Sequence, residues 1–203
     1  MMQSEVPTGR NKSLLVVAGS GRSGTSLFTG LAGRLGLYIP QPEIKPDATN
    51  PRGFGEPRWV LAFHKEMLKS VDVSHDDARP VAWDLTAQVA ERARARRRLR
   101  AWLEEQFAVS DRVVVKDPRL APFLGLYRTV ADDLSVQLCV VTMLRHPAET
   151  VRSKETYYGD HLGSTARMAS WLNMMLSVEH ATRDLPSAVI RFDDLLTQWR
   201  PTL

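Results

Sequence analysis

Four short apolar runs divide the chain and predict β-strands. Their apolar residues are continuous rather than alternating, and Val, Ile and Leu dominate them. Continuous apolarity is typical of strands that are covered on both faces, as in a parallel sheet. The predicted strands are 14–19, 112–117, 136–144 and 187–192.

Apolar residues at helical spacing fill segments between the predicted strands. Alternating strands and helices predict an α/β fold, with three layers (α/β/α) around a central, mostly parallel sheet. A loop rich in Pro and Gly, residues 40–57, interrupts the pattern, and a loop this long in a compact domain is more often functional than idle. The predicted helices are 25–35, 56–71, 86–108 and 165–185.

The length of 203 residues suits one domain with a hydrophobic core, so we expect a single domain over residues 1–203. A helical pattern is just beginning where the sequence ends, so either a C-terminal portion is missing or the domain does without one. The net charge of +4, with 27 Lys and Arg, slightly favours phosphate- or sulfate-bearing ligands and does not indicate nucleic acid.

The sequence predicts a soluble protein of the cytoplasm without a transmembrane segment. The N-terminus, residues 1–13, lacks the apolar core of a secretion signal, and no apolar run approaches the ~20 residues that cross a bilayer. The single cysteine, Cys139, suits a reducing compartment. We interpret the arginine-rich tract 91–100 as the solvated face of a helix rather than a polyanion site, because no aromatic residue interleaves it to stack bases.

The polar turn after the first strand, "GSGRSGTS" at 19–26, has the composition of an anion-binding loop. Backbone N–H groups at a helix N-terminus point at an anion, glycines allow close backbone approach, and arginine and hydroxyl side chains add donors. A tight turn with Ser/Thr capping would explain the glycines alone, but not the arginine with them. The candidate ligand-binding residues are Gly21, Arg22, Ser23, Gly24, Thr25 and Ser26.

The loop departs from a nucleotide-triphosphate P-loop. Gly19 and Gly24 have the Walker spacing, but Thr25 stands where that motif has its lysine. A kinase acting on a small metabolite therefore remains only an alternative, since it would lose its main contact to the β- and γ-phosphates. Of the carboxylates that could hold magnesium, only Asp117 is suitably placed, and no His, Cys and Asp cluster has the spacing of metal ligands. We expect no metal.

A second motif, "MLRHPAETVRSK" at 143–154, places an arginine at the end of the third strand and a serine eight residues later. These are Arg145 and Ser153. Pro147 suits the first turn of a helix, which puts the serine two turns on, on roughly the same side as the arginine. A guanidinium and a hydroxyl that converge on one oxyanion are what a nucleotide 3′-phosphate requires. An arginine at a strand end beside a surface serine is the plainer alternative.

The two motifs together resemble those of the PAPS-dependent sulfotransferases, most closely the bacterial branch with an "RSGTS" loop (PAPS is 3′-phosphoadenosine 5′-phosphosulfate). The resemblance implies that 19–27 is the 5′-phosphosulfate loop and that Arg145 and Ser153 bind the 3′-phosphate. It also implies in-line transfer of the sulfuryl group to a hydroxyl or amine, without a metal. The acceptor, a small molecule, lipid or carbohydrate, is not identified. Further matching segments are 50–57, 113–120 and 190–196.

The resemblance and the strand positions together suggest candidates for the catalytic groups. Arg22 and Lys116 are candidates for stabilising charge on the leaving phosphate. Glu56 is the first choice for the base and His64 the second, although a glutamate just before a helix is also favoured by the helix dipole. A non-catalytic nucleotide-binding homologue remains open. Trp171 and Phe192 are candidate adenine platforms, but each position favours core packing.

Overall fold

Parallel strands form the centre of the molecule. The structure, a computed structural model, describes residues 12–159 and 162–202. The prediction that residues 1–13 are not a secretion signal therefore falls almost entirely outside the described residues. Within the described part, a four-stranded sheet has the order β2-β1-β3-β4, and each neighbouring pair is parallel. Each predicted strand matches an observed one to within a residue at either end. The strands are β1 (Ser13–Ala18), β2 (Arg112–Lys116), β3 (Gln137–Leu144) and β4 (Ser187–Arg191).

Helices cover the sheet on both sides. Of the helices in the described ranges, none combines the length and apolarity needed to cross a membrane. A short 3₁₀ turn, Ala121–Phe123, leads into the fifth helix. The helices are α1 (Thr25–Arg34), α2 (Arg58–Lys69), α3 (Val81–Ala90), α4 (Ala93–Val109), α5 (Leu124–Asp133), α6 (Pro147–Tyr158), α7 (Ser164–Thr182), α8 (Phe192–Thr197) and α9 (Trp199–Thr202).

The core lies in two layers because successive strand side chains face opposite ways. Leu14 and Val16 of β1 pack into a large cluster with α2, α3, α4, α5 and α7. Val17 of the same strand packs on the other side with Phe28 of α1 and Leu195 of α8. The predicted three-layer α/β/α class, with a P-loop-like turn after the first strand, is confirmed.

The prediction of a single long helix over 86–108 is wrong, because the helix is interrupted between α3 and α4. The buried positions explain the break. In α3 they include Val89 and Ala90, and in α4 they resume at Ala95 and Leu99. A continuous helix with 3.6 residues per turn would instead turn residues 93 and 97 inward, and both are exposed. The break shifts the apolar stripe back onto the core.

The expectation that every strand is covered on both faces fails at β4. Only Ile190 of this strand is buried, and Val189 is 65% exposed. β4 lies at the edge of the sheet and pairs with β3 alone among the described strands. Its apolar sequence therefore does not report burial on both faces. β1 and β2 are mostly buried, although β2 lies at the opposite edge of the sheet, and β3 alternates between buried and half-buried residues.

Candidate anion-binding and catalytic site

The turn between β1 and α1 adopts backbone conformations that require glycine at two places. Gly19 has φ +128°, and a Cβ there would lie 2.7 Å from the Met143 carbonyl oxygen. Gly24 has φ +92° and caps α1, with no side chain to occupy the first N–H groups of the helix. Those N–H groups lack partners within the helix, so the turn offers them to an anion.

Arg22 lies inside this turn and reaches across it. Its own φ is +70°, a left-handed conformation that persists mainly where the surrounding structure enforces it. The guanidinium Nε donates to the Ser153 hydroxyl at 3.1 Å, and Nη1 donates to the Thr49 carbonyl at 3.0 Å. It also stacks 4.0 Å above the ring of Tyr157. One side chain thus connects the first motif, the long loop and α6.

Arg145 brings the second motif to the same place. It follows β3, and its Nη1 donates to the Arg22 carbonyl oxygen at 3.1 Å. Its Nε pairs with Glu149 at 3.0 Å, and the guanidinium lies 4.8 Å above the ring of Phe192. Phe192 therefore borders the site, although its position at a strand end favoured core packing. The two arginines stand side by side.

A cavity of about 310 Å³ opens between the two motifs, and a second of about 320 Å³ adjoins it at Arg145. Ser153 does not line the first cavity, but its hydroxyl accepts the hydrogen bond from Arg22, which does. Gly21 and Ser23 do not line it, and the Ser23 hydroxyl instead donates to the Ser20 carbonyl and braces the turn. The lining of the first cavity is Arg22, Gly24, Thr25, Ser26, Thr49, Asn50, Pro51, Arg52, Arg145, Tyr157 and Phe192.

Lys116 and Glu56 form a buried ion pair next to this cavity. The Lys116 Nζ donates to Glu56 Oε1 at 2.5 Å and to the Ser26 hydroxyl at 3.2 Å. Both charged side chains are more than nine-tenths buried. Lys116 is the last residue of β2, and Glu56 lies in the long loop 40–57. The pair therefore joins the anion-binding turn to the loop that the sequence marked as functional.

Comparison with known proteins identifies the fold. No protein-family model and no curated protein matches the chain. Among solved structures, the sulfotransferase domain of the Synechococcus PCC 7002 olefin synthase matches with a TM-score of 0.55 and 18% identity, over 99% of this chain and 74% of that one. The sulfotransferase domain from the curacin biosynthetic pathway matches with a TM-score of 0.52 and 18% identity, over 96% and 72%. The chain has a sulfotransferase fold.

A more distant likeness links the chain to a kinase. Deoxyadenosine kinase from M. mycoides with bound dATP matches with a TM-score of 0.47 and 12% identity, over 93% of this chain and 96% of that one. That likeness is too remote to bear on function.

In residues 12–159 and 162–202, no group of three His, Cys, Asp or Glu side chains is arranged to hold a metal.

Behind the ion pair lies a buried polar triad that the sequence did not predict. His64 Nδ1 lies 3.0 Å from Asp117 Oδ2, and the Tyr127 hydroxyl lies 3.3 Å from His64 Nε2. All three side chains are fully enclosed, and the imidazole stacks on Phe123 at 4.7 Å. With both ring nitrogens occupied and the ring shielded from the cavity, His64 supports the fold around Asp117.

Asp117 and Tyr127 have pKa values displaced from their usual ones. Burial by itself raises the pKa of the Asp117 carboxyl, but the hydrogen bond from His64 and the charges of His64 and Arg119 outweigh it, so this pKa lies well below its usual 3.8. Burial first, and the Asp117 charge second, raise the pKa of Tyr127 well above its usual 10.0. Asp117 is therefore held as a carboxylate in the folded protein.

We expect stability to fall in acid partly through Asp117. Because its pKa is lower in the folded protein than in the unfolded chain, the unfolded chain takes up the proton first, and stability is lost as the pH falls below about 4. Asp117→Asn should cost about 3–5 kcal/mol at neutral pH and flatten this acid loss. Denaturant unfolding between about pH 6 and pH 3 measures both. An equally steep acid loss in the variant would contradict the assignment.

Proposed function

We propose that the protein is a sulfotransferase that uses PAPS as its donor. In this proposal the turn at 19–27 binds the 5′-phosphosulfate, while Arg145 and Ser153 bind the 3′-phosphate. Lys116, with Arg22, stabilises the leaving phosphate. Glu56 accepts the proton of the acceptor hydroxyl or amine. The sulfotransferase fold supports the reaction class, and the arrangement of these residues supports the donor.

One observation carries the proposal: the two arginines, 123 positions apart in the sequence, meet through the hydrogen bond from Arg145 to the Arg22 carbonyl. Both line the same cavity, and a second cavity continues past Arg145. A donor with anionic groups at both ends needs two cationic cradles that face one cleft. A nucleoside triphosphate, by contrast, carries its charge in one chain and calls for the lysine that Thr25 replaces.

The reaction balances with the groups at hand. The acceptor oxygen forms a bond to sulfur while the bond from sulfur to the bridging 5′-phosphate oxygen breaks, and that oxygen keeps the electron pair. The products are the sulfated acceptor and adenosine 3′,5′-bisphosphate. The fixed charge of Lys116 beside Ser26 offsets the charge that grows on the leaving oxygen.

Glu56 is the better of the two candidate bases. Lys116 occupies its Oε1, which leaves Oε2 for a substrate proton. His64 is 0% exposed, and its nitrogens face Asp117 and Tyr127. A base must come within hydrogen-bond reach of the proton that it removes. Lys116 links Glu56 to Ser26, which lines the cavity, whereas no contact among the described residues links His64 to the cavity lining.

A nucleotide titration tests the proposal. Adenosine 3′,5′-bisphosphate should bind without magnesium and more tightly than ATP, as calorimetry would measure. Stronger, magnesium-dependent binding of ATP would favour the small-metabolite kinase. Binding of the bisphosphate without transfer of labelled sulfate from PAPS to any hydroxylated lipid, sugar or small molecule would favour a non-catalytic nucleotide-binding protein.

Arg145→Ala should separate the two ends of the nucleotide. We expect affinity for adenosine 3′,5′-bisphosphate to fall by about 10- to 100-fold, because a charge-assisted hydrogen bond to phosphate is lost. Affinity for the 5′-monophosphate should change little. Arg34→Ala, which removes an exposed arginine at the end of α1, is the control. Equal losses for both nucleotides would remove the 3′-phosphate assignment.

A further inference from the structure

Arg52 lines the first cavity and differs from the other two arginines there. Arg145 pairs with Glu149, and Arg22 donates to Ser153. Arg52, by contrast, has neither a hydrogen-bond nor an ion-pair partner in the part of the chain that the structure describes. A guanidinium carries five N–H donors and no acceptor. An unpaired guanidinium at a cavity therefore offers its full charge and all its donors to an anion.

The backbone of Arg52 belongs to a tight turn, residues 50–53. The Gly53 N–H donates to the Asn50 carbonyl oxygen at 3.0 Å and closes the turn. The sequence Asn-Pro-Arg-Gly follows the preferences of a type I turn, which favours Asn first, Pro second and Gly fourth. Pro51 presets its own backbone dihedral, so the turn does not depend on a ligand for its shape.

Asp47 braces this turn from its N-terminal side. Its Oδ1 accepts hydrogen bonds from the backbone N–H groups of Thr49 and Asn50 at 2.8 Å and 3.1 Å, and from the Thr49 hydroxyl at 2.7 Å. The Thr49 carbonyl in turn accepts the hydrogen bond from Arg22 of the anion-binding turn. The long loop and the anion-binding turn are thus joined directly ahead of Arg52.

The residues two positions before and two positions after Arg52 are both tied to Ser26. Asn50 Nδ2 donates to the Ser26 hydroxyl at 3.3 Å. Lys116 Nζ donates to the same hydroxyl at 3.2 Å and to the Phe54 carbonyl oxygen at 3.3 Å. Two residues span at most about 7 Å of extended chain, so the backbone of Arg52 lies near the N-terminal end of α1.

We propose that Arg52 binds the sulfuryl group of the donor and makes the site distinguish a phosphosulfate from a phosphate. This inference rests on the proposed function, which assigns the 5′-phosphate to the anion-binding turn and its bridging oxygen to Lys116. In-line transfer puts sulfur between that oxygen and the acceptor, which is the side of Glu56. Glu56 follows Arg52 by four residues in the same loop. The non-bridging sulfuryl oxygens carry the negative charge that a guanidinium matches.

Arg52 acts in binding more than in the chemical step. The non-bridging sulfuryl oxygens are charged before transfer and stay charged during it, so the guanidinium contacts them in the bound donor and in the transition state alike. An interaction of this kind lowers KM without raising kcat. Arg52 exchanges no proton, and its contact is lost when the sulfuryl group leaves with the acceptor. Its role is therefore separate from that of Lys116.

Four nucleotides test the contact without any acceptor. PAPS and adenosine 5′-phosphosulfate carry the sulfuryl group, whereas adenosine 3′,5′-bisphosphate and adenosine 5′-monophosphate do not. Arg52→Met should lower affinity for the first two by about 10- to 100-fold in calorimetry and leave the other two within a factor of about two. Arg52→Lys should recover part of the loss. Because Arg52 is exposed, its replacement spares the core, and retained bisphosphate affinity verifies the fold.

Two further variants separate a contact from a general effect of charge. Arg58→Met removes an exposed arginine of α2 that does not line the cavity, and it should change all four affinities alike, by less than about two-fold. Asp47→Ala removes a negative charge, which by itself would strengthen binding of every nucleotide. Because it also releases the 50–53 turn, it should weaken the sulfuryl-bearing pair relative to the other pair. Uniform strengthening would contradict the role of the turn.

The outcomes separate this inference from the proposed function. Failure of the native protein to bind the bisphosphate or PAPS overturns the donor assignment and this inference with it. If both bind, two results overturn the inference alone. In the first, Arg52→Met weakens all four nucleotides equally. In the second, it leaves the affinity for PAPS as high as Arg58→Met does.

Discussion

Replacing Lys116 with methionine should lower the rate of sulfuryl transfer by about two to three orders of magnitude and leave nucleotide affinity nearly unchanged. The lysine is fixed by Glu56, Ser26 and the Phe54 carbonyl, so its charge is oriented before the reaction begins. A preoriented charge stabilises the leaving oxygen most as negative charge develops on it. Single-turnover transfer from labelled PAPS measures the loss directly.

Lys116→Met also leaves the Glu56 carboxylate buried without its partner, which should cost about 3–5 kcal/mol of unfolding free energy. Adding Glu56→Gln removes that charge and should recover most of the stability, but not the rate. The control is Lys65→Met, at an exposed position of α2. Because Glu56→Gln also removes the proposed base, the double variant reports on stability alone. If Lys116→Met lost stability but transferred sulfate at the native rate, Lys116 would be a folding residue only.

Gly24→Ala should remove nucleotide binding and lower the unfolding free energy by roughly 3 kcal/mol. A left-handed conformation costs about 1–2 kcal/mol for any residue with a Cβ. The new methyl group would also stand 2.3 Å from a carbon of the Phe192 ring, so the ring or the turn must move. Either movement disturbs the N–H groups that face the anion. Denaturant unfolding and calorimetry with adenosine 3′,5′-bisphosphate measure the two effects.

Gly30 provides the matched control for this substitution. It lies within α1, five residues after the start of the helix, and a Cβ there meets no atom within 4 Å. Gly30→Ala should therefore stabilise the protein by about 0.5–1 kcal/mol through helix propensity and leave binding intact. Similar behaviour of the two variants would show that the turn tolerates side chains and that its conformation is not required.

Three of the four strands were predictable because their uninterrupted apolar runs agree with their burial. β1, β2 and β3 lie within the sheet or against the helical layers, so a run such as Leu14–Ala18 directly reports its surroundings. β4 has the same composition, but four of its five residues are exposed, and an apolar run by itself does not show whether neighbouring layers cover a strand. The break between α3 and α4 was missed because helix propensity runs on through Glu91 and Arg92, and only tertiary packing requires the change of phase.

The composition of the anion-binding turn was predictable from local sequence, but its partners were not. Arg22 contacts Ser153 over 131 positions, and Lys116 contacts Glu56 over 60. Hydrophobic periodicity reports only on local structure, so it does not reveal contacts between residues this far apart in the sequence. The sequence alone indicates Asp117 only as a possible magnesium ligand and His64 only as the second choice of base. The signal available for both was a charged residue at a strand end and a lone histidine on an apolar helix face.

Phe192 has a consequence for how the protein becomes competent during its synthesis. The ring that abuts Gly24 and underlies Arg145 belongs to a segment roughly 170 residues later in the sequence. At a translation rate of ~5–20 residues per second, the roughly 170 residues between them take roughly 10–30 s to emerge. In a nascent chain the anion-binding turn is therefore exposed long before Phe192 can pack against it. The candidate site is therefore complete only after Phe192 has emerged and packed against the turn.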